Sequence, residues 1–187
     1  MEHRETKIYL HDIAGFCPEE AIWKMLADVS SFMLQEPANR VLSPDSIVVD
    51  GDVFLLAAET PSPEGKRPET DDIWGNDLVW SLGATAFFAA TGHVLFGGHG
   101  YRYQREHPQV VLPSMPKAYQ ALTPLVQRCL CAEPSERISL EQLCAEARRG
   151  HTTCVQQQRT KAVVRRVANN QHSTAKERWP EEMEEIG

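Results

Sequence analysis

Two groups of side chains have the residue types that bind metal ions. The first is three histidines within a 15-residue stretch, and the second is three aspartates around a predicted hairpin; they are His93, His99, His107, Asp45, Asp50 and Asp52. The histidines have no carboxylate or thiol at matching spacing, and aspartates at the tip of a hairpin are usually solvated. We therefore expect exposed side chains and no metal site in either group.

The possible nucleophiles also lack the context that chemistry requires. The chain has five cysteines, an odd number whose spacing forms no disulfide framework, namely Cys17, Cys129, Cys131, Cys144 and Cys154. We expect buried or inert thiols. Ser81 lies in a long apolar run without the Gly-x-Ser-x-Gly turn of a nucleophile elbow, and the glycine-rich stretch 97–100 has no lysine to hold a phosphate.

The elements that would position these residues are mostly helical, with one short β-hairpin. We expect a short helix over residues 8–14 and a longer one from Pro18, because proline and then two glutamates suit the start of a helix. Apolar β-branched runs on both sides of Asp50-Gly51-Asp52 predict the hairpin. Residues 60–69 are rich in proline, glycine and charge, which predicts an exposed loop.

The second half of the chain is predicted from three further patterns. Leu78–Thr91 is apolar nearly all round, which indicates a helix buried on every side. Gly92–Gln109 is expected to be a loop region, and Thr123-Pro124 to begin an amphipathic helix. Ser139 and Gln142 form a capping box that opens a last helix, which we expect to stop near Gly150.

Charge and composition divide the chain unevenly. Residues 1–150 carry 13 Lys and Arg against 21 Asp and Glu, whereas residues 151–187 carry 6 against 5 and few large apolar side chains. We expect a folded domain over 1–150 and a polar, partly disordered tail over 151–187. An acidic domain repels phosphate backbones, so nucleic acid is an unfavoured partner. No run is apolar enough to span a bilayer and no signal peptide is evident, which favours the cytoplasm.

Four short motifs, in order, resemble the C-terminal lobe of a protein kinase over roughly residues 8–147. Residues 42–49, Leu-Ser-Pro-Asp-Ser-Ile-Val-Val, look like the family's Leu-Lys-Pro-Glu-Asn-Ile-Leu-Leu segment, and residues 67–69 resemble Ala-Pro-Glu. Residues 77–83, Asp-Leu-Val-Trp-Ser-Leu-Gly, resemble Asp-Val-Trp-Ser-Leu-Gly, and residues 129–137 resemble Cys-Leu-x-x-Asp-Pro-x-x-Arg. The resemblance implies a helical, kinase-like C-lobe fold.

The same resemblance assigns structural roles to four charged residues. It implies a buried ion pair between Glu69 and Arg137, and it places Asp77 where it would accept hydrogen bonds from the loop that holds the catalytic residues. Arg40 falls on the arginine of His-Arg-Asp. Retaining both partners of a buried pair favours a preserved architecture, because an unpaired buried charge costs several kcal/mol.

The catalytic positions of the family are degenerate in this chain. Val41 stands where the catalytic carboxylate would be, Ser46 stands for the magnesium-binding Asn, and Ala58 opens the segment in place of Asp-Phe-Gly. A slipped alignment could bring Glu59 to the metal position, but the other parts are absent as well. The first kinase-like helix begins near Ile8, which leaves no room for an N-lobe. We expect no ATP binding, no cofactor and no enzymatic activity.

A C-lobe without an N-lobe is similar to the KIND domains, the kinase non-catalytic C-lobe family, and the Glu-Glu-Ala-Ile-Trp of residues 19–23 looks like that family's first long helix. The resemblance implies a non-catalytic protein-binding module, and by family alone a formin-like basic tail as the partner. We expect a basic segment to bind acidic residues around the hairpin and the following loop, namely Asp45, Asp50, Asp52, Glu59, Glu64, Asp71 and Asp72. The alternative is a regulatory fragment of a pseudokinase that pairs with an N-lobe or a kinase partner.

Overall fold

The computed structural model describes residues 7–36, 42–57, 73–75 and 77–177, with side chains up to residue 169. The helices are α1 (Leu10–Ile13), α2 (Glu19–Gln35), α3 (Leu78–Thr91), α4 (Gly100–Glu106), α5 (Thr123–Cys129) and α6 (Leu140–Glu177). The strands are β1 (Ile8–Tyr9), β2 (Ile47–Asp50) and β3 (Val53–Leu56). The prediction of a mostly helical protein is confirmed.

The predicted hairpin is one part of a three-stranded antiparallel sheet in the order β1-β2-β3. Its turn lies at Gly51, whose φ of +56° is a left-handed conformation that glycine adopts without steric cost. The expected helix over residues 8–14 is wrong in its first half, because Ile8 and Tyr9 pair with Val49 and Val48. Two β-favouring residues beside an open strand edge therefore extend the sheet, and the helix begins only at Leu10.

Helix α3 is buried along most of its length, as its apolar pattern predicts. Trp80, Leu82 and Ala86 are fully buried. On one side α3 packs against α5 so closely that a Cβ atom on Gly83 would lie 2.6 Å from the Cβ of Cys129. On another side it packs against α2. A helix enclosed in this way organises the core around itself.

The prediction that Gly92–Gln109 is a loop is wrong, because the segment contains α4. The helix is anchored by the buried side chain of Gln104, whose Oε1 accepts a hydrogen bond from Trp80 Nε1 at 2.6 Å. The Nε2 of the same side chain donates to the Leu130 carbonyl at 2.8 Å. One glutamine thus links α3, α4 and the end of α5, and both polar ends of its amide are satisfied in the interior.

Polar contacts also fix the start of α2 against the region that precedes α5. The Tyr119 hydroxyl donates to the Cys17 carbonyl at 2.8 Å. The Leu122 amide donates to Glu19 Oε1 at 2.9 Å. Glu19 therefore has two roles, since a carboxylate in the first turn also favours the positive end of the helix dipole.

The last helix does not stop near Gly150. The predicted capping box is present, with the Gln142 amide donating to Ser139 Oγ at 3.2 Å, but α6 runs on to Glu177. Gly150 serves as a packing residue and not as a terminator, because a Cβ atom there would overlap the Trp23 ring. The contacts of the chain define two compact units, Met1–His151 and Thr152–Gly187. Partial disorder of the tail remains a prediction.

Gly150→Ala is expected to lower the free energy of unfolding by about 1–3 kcal/mol, the usual cost of forcing a methyl group into a packed contact. This is opposite to the intrinsic preference of a helix for alanine, which is worth about 1 kcal/mol. Gln157→Ala, at an exposed position of the same helix, is the matched control and should be neutral or slightly stabilising. Urea titrations of both variants measure the difference. A stabilising Gly150→Ala would contradict the close approach of Trp23.

Candidate functional site

The charged pair that the structure brings together joins Arg137 to Asp77. The Arg137 side chain is 3% exposed, and its Nη1 lies 2.8 Å from Asp77 Oδ2. Among the described residues, that nitrogen makes no well-aligned hydrogen bond, so the contact is an ion pair. The rest of the guanidinium is satisfied by backbone, because Nε donates to the Cys131 carbonyl at 2.9 Å and Nη2 to the Ala132 carbonyl at 3.2 Å.

Asp77 is also the N-cap of α3. Its Oδ1 accepts a hydrogen bond from the Trp80 amide at 2.9 Å, so one carboxylate caps the helix and neutralises a buried cation. The family resemblance implied Glu69 as the partner of Arg137 and the catalytic loop as the donor to Asp77. Glu69, and Arg40 and Val41 of that loop, lie outside the described residues, so both of those predictions stay open.

Ser46, the residue at the predicted magnesium position, is engaged within its own turn. Its hydroxyl donates to the Ser43 carbonyl at 2.7 Å and accepts from the Ser43 amide at 3.0 Å. A hydroxyl used in this way stabilises the short 3-10 turn Pro44–Ser46 that leads into β2. Ala58 and Glu59, predicted at the degenerate Asp-Phe-Gly position, lie outside the described residues.

One face of the sheet is apolar and exposed. The pairing of β1, β2 and β3 places Tyr9, Val48 and Leu55 side by side, with Asp50 and Val53 beside them near the turn. We call these five residues the outer sheet face. Val53 is 44% exposed and Leu55 47% exposed. The opposite face supplies Ile47 and Phe54 to the core, where they are 0% and 7% exposed.

The predicted acidic surface is only partly a cluster. Asp50 and Asp52 are exposed at the turn between β2 and β3, next to Val53 of the outer sheet face. Asp45 lies before β2, at the other end of the hairpin, where its Oδ1 is 2.8 Å from His11 Nδ1. The four residues of β2 separate the two ends by about 13 Å. The remaining four predicted acids lie outside the described residues, namely Glu59, Glu64, Asp71 and Asp72.

The free edge of β3 is covered by α2. The Phe54 amide donates to Asp28 Oδ2 at 3.2 Å, and the same carboxylate is held by Lys24 Nζ at 2.9 Å. A covered edge cannot template pairing with another strand. A partner that binds this hairpin cannot pair with the backbone of β3 and must instead contact the side chains of the outer sheet face.

The other candidate chemistry has no assembled site in the part of the chain that the structure describes. No group of three or more His, Cys, Asp or Glu side chains there could hold a metal ion. His93, His99 and His107 are exposed, as expected, and the His107 ring stacks on Tyr103 at 4.3 Å between centroids. No helix among the described residues is long and apolar enough to cross a bilayer.

None of the five cysteines, all of which the structure describes, forms a disulfide, and three of them are buried, namely Cys17, Cys129 and Cys144. Burial raises the pKa of the Cys17 thiol to about 11 and that of the Cys129 thiol to about 12. A thiol is nucleophilic only as the thiolate, so these groups are inert at neutral pH. The prediction of buried or inert thiols is thereby confirmed for these two positions.

No family model and no curated protein matches the chain.

Two features of the candidate surface are not predicted from the sequence, namely the third strand and the apolar outer sheet face. A signal for the second was present: Val53-Phe-Leu-Leu56 is apolar at consecutive positions, and a strand with that pattern has apolar residues on both faces.

Asp77→Ala is expected to destabilise the protein by about 2–4 kcal/mol, because it leaves the buried Arg137 cation without its carboxylate and removes a helix cap. Asp77→Asn preserves the cap but not the charge, so its loss of stability should be smaller than that of Asp77→Ala by roughly 1 kcal/mol. Glu106→Ala, which breaks the exposed pair with Arg102, is the control and should leave the unfolding midpoint unchanged. Chemical denaturation ranks the three variants. Equal midpoints for Asp77→Ala and Glu106→Ala would disprove a structural role for the buried pair.

Alkylation of the native protein at pH 8 should modify Cys131 and leave Cys17 and Cys129 unreacted. A pKa of about 12 reduces the thiolate fraction at that pH to roughly one part in 10⁴, and burial restricts access further. Peptide mapping by mass spectrometry after timed exposure to iodoacetamide measures each site, and all five should react in denaturant. Rapid labelling of Cys129 in the folded protein would show that the contact between α3 and α5 opens.

Proposed function

We propose that the chain is a non-catalytic protein-binding module built on a kinase-like C-lobe. The observation that carries the proposal is the outer sheet face, where Val53 and Leu55 are nearly half exposed beside the carboxylate of Asp50. Apolar side chains rimmed by one sign of charge are typical of a surface that binds a protein segment of the opposite charge. The favoured partner is a basic amphipathic segment of another protein.

Three further observations support a module without kinase chemistry. The ion pair between Asp77 and Arg137 connects the segments that the kinase resemblance marks as structural. The hydroxyl of Ser46 is engaged in its own turn, and the sequence has valine at position 41, which cannot accept a proton. The absence of ATP turnover and a cytoplasmic location belong to the same proposal.

The second candidate is a regulatory fragment of a pseudokinase that pairs with an N-lobe or a kinase partner. The same outer sheet face favours it, because a lobe separated from its neighbour exposes the apolar surface that the neighbour would cover. The two candidates differ in their response to salt. A basic segment held beside Asp50 should be released as ionic strength rises, whereas a large apolar interface should persist.

A designed 18-residue amphipathic helix of lysine and leucine is a suitable probe. Fluorescence anisotropy should show it binding the full chain with a dissociation constant on the order of 10 µM at low salt. Raising the salt from about 50 to 500 mM should weaken binding at least tenfold, because the Debye length falls from roughly 14 Å to below 5 Å. Asp50→Lys should likewise reduce the affinity about tenfold by placing a like charge beside the docking face.

Glu136→Lys is the matched control, because it makes the same charge change at an exposed position away from the sheet. It should alter the affinity less than twofold. If both substitutions weakened binding equally, the effect would be one of overall charge, and the outer sheet face would not be the site. Salt-insensitive binding would favour the regulatory fragment.

A further inference from the structure

The second compact unit of the chain contains a helical segment with one sign of charge. Residues 152–169 of α6, which we call the basic helix segment, hold four Lys and Arg and no Asp or Glu. The four cations are exposed, and they are Arg159, Lys161, Arg165 and Arg166. Residues 1–150 have the opposite balance, with 21 Asp and Glu against 13 Lys and Arg. One chain therefore contains two strongly unlike surfaces.

The basic helix segment also has an apolar stripe. Val163, Val164 and Val167 are 58%, 61% and 51% exposed. At about 100° per residue they lie within roughly a 100° arc of the helix, and all four cations lie outside that arc. The three exposed valines form the stripe, and Arg159 and Arg166 border it on one side, so the segment is an amphipathic helix whose stripe is exposed among the described residues.

Charge restricts what can cover this stripe. A second copy of the same helix would bring four cations against four, and like charges at close range repel. Three valines with no aromatic residue or leucine give a lipid surface little to bury. A phosphate backbone would neutralise the cations but leave the valines in water. The occupant that satisfies both features is a protein surface that is apolar and acidic at once.

The outer sheet face has these two properties. Asp50 and Asp52 supply the negative charge, and Val53 and Leu55 the exposed apolar area. The spacings match as well: Val53 and Leu55 are separated by about 6.6 Å along the strand, and Val163 and Val167 by about 6 Å along the helix. Helix α2 covers the edge of β3, so a helix that lies across the side chains is the geometry left open.

We propose that the basic helix segment of one molecule docks on the outer sheet face of a second copy, so that the chain associates with itself. This inference rests on the proposed function and names the basic partner of that face. Arg159 and Arg166, which border the valine stripe on one side of the helix, pair with Asp50 and Asp52 of the other molecule, and the valine stripe covers Val53 and Leu55. The association is salt-sensitive and dependent on concentration.

Sedimentation velocity of the full chain from about 1 to 200 µM provides the test. At about 50 mM salt the chain should associate with a dissociation constant on the order of 10 µM, and at 500 mM it should be mainly monomeric. The double substitution Val163→Ser and Val167→Ser should abolish association without loss of helix, because serine and valine have similar helix propensities. Circular dichroism checks that the helix is retained.

Two charge-reversed variants give a stricter test. The first carries Arg159→Glu and Arg166→Glu, and the second carries Asp50→Lys and Asp52→Lys. Within each variant the basic helix segment and the outer sheet face have the same sign of charge, so each variant alone should be monomeric. In an equimolar mixture, the helix of either variant meets a sheet face of opposite charge on the other variant, so the two should associate. Two separate monomers that combine only when mixed would establish contact between different molecules.

Each outcome separates this inference from the proposed function. A wild-type chain that stays monomeric at 200 µM, or a mixture that does not associate, overturns self-docking. If the lysine–leucine helix still binds at Asp50, the protein-binding module stands with another basic partner. If neither the chain nor the designed helix occupies the outer sheet face, both proposals fail.

Discussion

A guanidinium removed from water must be neutralised and given nearby acceptors, and Arg137 imposes this requirement on the folded domain. Two backbone carbonyls and the carboxylate of Asp77 meet it. Asp77 is the N-cap of α3 and Arg137 lies just before α6, so the pair fixes the first turn of α6 relative to the start of α3. Removing Asp77 costs more than the pair contributes, because the Arg137 side chain is 3% exposed and its charge would remain buried without a carboxylate. The architecture therefore depends on retaining both residues.

The core is built outward from the element that this pair anchors. Helix α3 is apolar on nearly all sides, so each neighbouring element can pack on it directly, and Gly83 allows α5 to approach within side-chain contact. Gln104 extends the same arrangement with polar bonds by linking Trp80 to the Leu130 carbonyl. An apolar residue at position 104 would leave the indole N–H and that carbonyl unsatisfied in the interior. The side-chain amide of Gln104 therefore helps to define a single packing arrangement of the core, together with the shapes of the apolar side chains.

Local patterns predicted the features that depend on local physics. The apolar run of α3, the proline start of α2 and the turn at Gly51 follow from side-chain chemistry over a few residues, and all three are present. The features that failed depend on distant contacts. Gly150 continues a helix because Trp23 leaves no space for a Cβ atom, and α4 forms because a glutamine finds two partners far along the chain. For the candidate site, sequence located Asp50 and Asp52, whereas which face of the apolar strand beside them stays exposed depends on the packing of Ile47 and Phe54 into the core.

The outer sheet face is exposed because the apolar residues of the hairpin cannot all reach the core. Ile47 and Phe54 are drawn to the core, and the alternation of a strand then turns Val53 and Leu55 outward. Aspartates at the turn keep this face hydrated and discourage apolar association, while Asp28 prevents strand pairing at the edge of β3. What remains is a face that is unfavourable to neutral apolar partners, beside a β3 edge that is closed to strand pairing. A helix that brings cations together with apolar side chains meets both conditions, and such a segment is encoded in the same chain.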